Sequence, residues 1–86
     1  MNFNHIREHD LVAIADRDTG KLKEIQAVIG DGVLTIIVGD GKVFRRSDGL
    51  QVNHPVAFKL LRVATIEDIQ AVKAAGDARY SRVTGR

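Results

Sequence analysis

Polar clusters that close on Gly20, Gly32, Gly41 and Gly49 divide the chain at intervals of 12, 9 and 8 residues. Each cluster carries an aspartate: Asp18, Asp31, Asp40 and Asp48. An Asp side chain can bond the backbone just ahead of it, and Gly takes a positive φ without a steric penalty, so each cluster reads as a turn. Apolar or alternating runs of strand length lie between them. Leu11 to Arg17 is apolar, and Leu22 to Ile29 puts Ile25, Ala27 and Ile29 on one face. Val33 to Val38 (V-L-T-I-I-V) has the composition of a central strand covered on both faces. Lys42 to Arg46 alternates, and Asp48-Gly49 leads by a hairpin signal into Leu50-Gln51-Val52. Asn53-His54-Pro55 breaks the pattern before a last run from Val56 to Val63. The spacing predicts a mostly β fold, a small barrel or β-meander of about five antiparallel strands.

The period changes after Ala64. Thr65 and Asp68 form a T-x-x-D capping pair, and Ile66, Ile69 and Val72 recur at helical spacing, with Ala75 continuing the stripe. A C-terminal helix is expected over about residues 65–76, with Gly76 as its stop. So short a helix needs its stripe docked on the sheet or on a partner. The expected organisation is one domain over residues 1–76 and a flexible tail over 77–86.

Charge follows that division. Residues 1–76 hold ten Lys/Arg and ten Asp/Glu, so the net +2 resides in the last ten residues, where Arg79, Arg82 and Arg86 face Asp77 alone. A basic tail on a neutral body is a candidate phosphate-contacting arm, or else a solvated terminus. The 86 residues contain no cysteine, which excludes disulfides and thiolate metal sites and suits a cytoplasmic protein. No apolar run approaches the roughly 20 residues of a membrane span, and residues 1–10 lack the pattern of a signal peptide. No membrane association is expected.

The run F-R-R-S-D-G from Phe44 to Gly49, then Leu50-Gln51-Val52 and the A-T-x-E-D helix start at Ala64–Asp68, resembles a group of small phage- and prophage-borne proteins. They share an F-R-R-S-D-G-x-x-V/I-G core after a short hairpin. The resemblance covers about residues 30–70, with similarity also at His9-Asp10-Leu11-Val12; Asn53 stands where the group tends to have glycine. It implies an SH3-like barrel and a mobile-element setting, and it supplies no catalytic residue.

His5 and His9 are four apart, but a zinc site needs a third ligand, His54 is the only other histidine, and H-E-x-x-H is absent. Turn chemistry accounts for the aspartates, and each G-D-G leads into a strand instead of the helix a phosphate loop requires. Ser47, Thr35 and Thr65 lack a histidine pattern that would mark a nucleophile. No catalytic, metal or cofactor site is therefore assigned, and a non-enzymatic binding role is expected. Two surfaces are candidates. The first, for nucleic acid, comprises Lys42, Arg45 and Arg46 on the basic strand, with Arg79, Tyr80, Arg82 and Arg86 in the tail. Arg45 and Arg46 point to opposite faces of a strand, so at least one reaches solvent. The second is the Ile66/Ile69/Val72 stripe, flanked by Ala71, Ala74, Ala75 and Ala78, for a protein partner or a second copy. The neutral body favours the protein-interaction or adaptor role.

Overall fold

A computed structural model describes the backbone of residues 3–84 and the side chains of residues 3–75. Its elements are β1 (Leu11–Asp16), β2 (Leu22–Asp31), β3 (Thr35–Val38), β4 (Val43–Arg45), β5 (Phe58–Val63) and α1 (Ile66–Thr84). The strands form one antiparallel sheet in the order β4-β3-β2-β1-β5, curled into a half-barrel. β1 to β4 form a meander, and β5 returns to the outer edge of β1. Register shifts in three strand pairings supply local bends that help the sheet curl. Gln51 bridges to Phe44 of β4 and Leu50 to Lys59 of β5, so this short segment lies between the two ends of the sheet.

The turns form where the glycines stand, with a partly different division of labour among the aspartates. At the first turn the acceptor is Asp16, not Asp18: its Oδ1 receives the N–H groups of Asp18 and Thr19, both at 2.9 Å. Asp40 and Asp48 accept from the backbone two residues on, as expected. Asp31 has a tertiary role, accepting the Glu8 N–H at 3.0 Å and tying the N-terminal segment to the end of β2. Gly49 meets two demands at once. Its φ is +76°, and a Cβ there would lie 2.6 Å from Cε2 of Phe3.

The core consists of Phe3, Ile6, Val12, Ile14, Val28, Ile36, Val38, Phe44 and Leu60, with Phe58 packed against it. Burying each of the larger side chains contributes roughly 2 kcal/mol. Phe3 and Ile6 come from the N-terminal segment, which is stitched in by Phe3 N–H to the Arg46 carbonyl and His9 N–H to the Val28 carbonyl.

Three expectations are corrected. The strand covered on both faces is β1, where Val12 and Ile14 enter the core while Ala13 and Ala15, pointing the other way, are also buried. Val33 and Leu34 do not belong to β3. β2 continues through Gly30 and Asp31, which pushes them into the β2–β3 turn, where they are 90% and 76% exposed. Finally, α1 does not stop at Gly76. Glycine costs a helix interior only about 1 kcal/mol, and no proline follows to block the next turn. The expected flexible tail therefore begins as helix, to Thr84.

Candidate functional site

β4 settles which arginine faces water. Arg45 is exposed, and its Nε donates to Asp48 Oδ1 at 3.0 Å in a two-pronged ion pair. That hydrogen bond holds the Asp48 carboxyl below its ordinary range. Arg46, expected as a nucleic-acid contact, is 5% exposed and makes structural hydrogen bonds. Its Nε donates to the Gly32 carbonyl and its Nη1 to the Phe3 carbonyl, each at 2.8 Å, while its backbone N–H donates to the Leu34 carbonyl. The side chain that was a candidate phosphate ligand thus clamps the β2–β3 turn to the N-terminal segment.

Lys42 is equally occupied. Its ammonium pairs with Asp40 and Glu24 and sits 4.7 Å from the centroid of the Phe58 ring. Burial pulls its pKa down, but the hydrogen bond to Asp40 and the two carboxylate charges outweigh this and raise it. Lys21 and Lys23 do not extend a basic patch from β4; they line a cleft of about 290 Å³ against Ala71, Val72 and Ala75 of α1. The basic strand therefore offers no group of unpaired cations. Side chains of Arg79, Tyr80, Arg82 and Arg86 lie outside the described residues.

The helix stripe is displayed at its first turns. Thr65 and Asp68 exchange capping bonds: Asp68 N–H to Thr65 Oγ1 at 3.1 Å, and Thr65 N–H to Asp68 Oδ2 at 3.0 Å. Arg62 on β5 donates to both Asp68 oxygens, through Nε at 2.9 Å and Nη2 at 2.5 Å. This pairing, with the Thr65 bond, lowers the Asp68 pKa to about 2. The start of the helix is thereby anchored to the sheet. Its stripe is not buried as a unit: Val72 is half-buried, whereas Ile66 is 70% exposed and Ile69 37%. Leu11, Ile29 and Ile37 add exposed aliphatic side chains on β1, β2 and β3.

A further feature was not legible in the sequence. Two open clefts flank the exposed Val33, one of about 370 Å³ that includes Arg7, Asp31 and Arg46, and one of about 310 Å³ that includes Leu34, Arg45 and Arg46. Both include Asn4. The pairing of an aliphatic tip with a buried arginine arises from residues far apart in the chain, and no local motif signals it.

His5, His9 and His54 are all exposed, and among the described residues no three His, Asp or Glu side chains gather as a metal-binding group. No helix among the described residues is long and apolar enough to cross a membrane. Comparisons with protein-family models, curated proteins and solved structures give no match.

Proposed function

We propose that this chain is a small non-enzymatic binding module that engages a protein partner through α1, as an adaptor or accessory protein of a mobile element. One observation carries the reading. A helix held to the sheet at its first turn by Arg62 and Asp68 presents Ile66 and Ile69 to solvent. Displaying aliphatic side chains on an anchored element forgoes burial that would stabilise the fold, and such patches commonly serve interaction. The paired state of Lys42 and Arg45 and the burial of Arg46 support a protein partner over nucleic acid. The bridges from residues 50 and 51 to both ends of the sheet support an SH3-like reading of the half-barrel. The mobile-element setting and a cytoplasmic site rest on the F-R-R-S-D-G resemblance and on the absence of cysteine.

The test compares the wild-type chain with Ile66→Asp and Ile69→Asp as baits for bacterial proteins and in sedimentation equilibrium. Ile66→Asp should leave stability within about 0.5 kcal/mol, as a surface change does, yet abolish the wild-type association. Identical captured proteins and identical oligomeric states for all three chains would refute the reading. Titration against DNA and RNA at about 50 and about 200 mM salt runs in parallel. Binding with a log–log salt slope of about −3 would replace the protein reading with the nucleic-acid one.

A further inference from the structure

Arg46 is the one buried charge without a counter-ion among the described residues. Asp68, also buried, pairs with Arg62, and Gln51 is neutral. Arg46 instead satisfies two backbone carbonyls, and no described carboxylate lies within ion-pair distance of it. A buried guanidinium placed this way retains an uncompensated positive charge, which an incoming anion would satisfy. It lines both clefts beside Val33. Arg7, exposed and likewise without a described carboxylate within ion-pair reach, lines the larger one. Lys42, Arg45 and Arg62, by contrast, are each matched to an acid.

The apolar half of the site is the turn that Arg46 clamps. Three bonds from Arg46, to Gly32, Leu34 and Phe3, fix the base of the turn against the N-terminal segment while Val33 and Leu34 project. Asp31 lines the same cleft as the two arginines. Its negative charge would oppose a phosphate dianion more strongly than a single carboxylate, so the site discriminates between the two. We infer that these two adjoining clefts, which share Val33 and Arg46, bind a peptide carboxylate adjoining an aliphatic side chain, with Arg46 and Arg7 of the larger cleft facing the carboxylate and Val33 and Leu34 of the smaller one packing on the aliphatic group. The inference shares with the proposed function only the premise that the domain binds peptide. It concerns a different surface, so the Ile66→Asp comparison fails or succeeds independently of it.

The experiment is an amide NMR titration of the full chain with N-acetyl-leucine, which carries both a carboxylate and an aliphatic group. N-acetyl-leucinamide, acetate and inorganic phosphate serve as controls. Saturable shifts centred on Gly32, Val33, Leu34 and Arg46 are expected with N-acetyl-leucine. Apparent affinity should be about tenfold weaker for the amide and for acetate, the loss expected when a charge-assisted hydrogen bond or the aliphatic contact is missing. Because Arg46→Ala endangers the turn itself, the variants are Arg7→Glu and Leu34→Asp at exposed positions, each expected to weaken binding about tenfold. Shifts scattered over the surface, equal binding of the amide, or unchanged affinity in Arg7→Glu would each overturn the assignment. Acetate or phosphate binding as well as N-acetyl-leucine would reduce the cleft to an adventitious ion only.

Discussion

Arg45 and Arg46 carry the same functional group on adjacent residues, yet at the end of β4 one side chain reaches water and the other lies among backbone carbonyls. Their consequences for stability should differ accordingly. Arg46→Ala removes two charge-assisted bonds and leaves the Gly32 and Phe3 carbonyls without those donors, costing about 3 kcal/mol. Arg45→Ala removes a solvent-screened pair and should leave the urea midpoint essentially unmoved. Urea denaturation of the two variants checks this, and comparable midpoint shifts would contradict the assignment of faces. The alternation was readable from sequence, but the sign was not. Nothing in F-R-R-S-D-G states which arginine meets the N-terminal segment.

Among the elements, α1 shows how far local chemistry reaches. The T-x-x-D pair places its start correctly, because capping depends on residues within one turn of each other. The same Asp68 joins the helix to β5 through Arg62, a contact the spacing did not disclose. It gives a pH signature. Asp68 titrates at about 2 in the folded protein, with the Arg62 hydrogen bond as the first cause, against an ordinary value of 3.8. Folding therefore favours the ionised form. The stabilisation is complete above about pH 4 and is lost as pH falls through the folded value, because the unfolded chain takes up the proton first. Stability measured by denaturation should decline between about pH 4 and 2, and Asp68→Asn should flatten that part of the profile. An unchanged profile in Asp68→Asn would show that the pair does not hold the helix. α1 runs past the expected stop at Gly76 because glycine weakens a helix but does not oblige it to end.

The whole molecule is held together by contacts between distant parts of the chain. Phe3 and Arg46, 43 residues apart, share a hydrogen bond, and the Phe3 ring lies against Gly49. Phe3 and Ile6 sit in the same core as Phe44 and Leu60. The N-terminal segment is thus an integral part of the domain. Phe3→Ala should cost about 3 kcal/mol, a large share of the roughly 5–15 kcal/mol that small domains possess. Thermal unfolding followed by circular dichroism should stay a single transition with a lowered midpoint. A separate early transition, or no change in midpoint, would mean that the segment folds independently of the barrel.

The sequence by itself determined the turns, the approximate number of antiparallel strands, and the cap at which the helix starts. Each of these depends on backbone preferences expressed within about four residues: a positive φ at Gly20, Gly41 and Gly49, acceptor side chains at Asp40 and Asp48, and a cap at Thr65. Tertiary structure alone decided which faces of those elements became surface. It buried Phe3 and Arg46, exposed Val33 and Leu34, covered β1 on both sides and left Ile66 in water. Burial depends on what the folded chain brings alongside, and those neighbours come from segments tens of residues away. The candidate binding surfaces belong to that second category, as combinations of side chains that meet only when the sheet curls and the N-terminal segment packs into it.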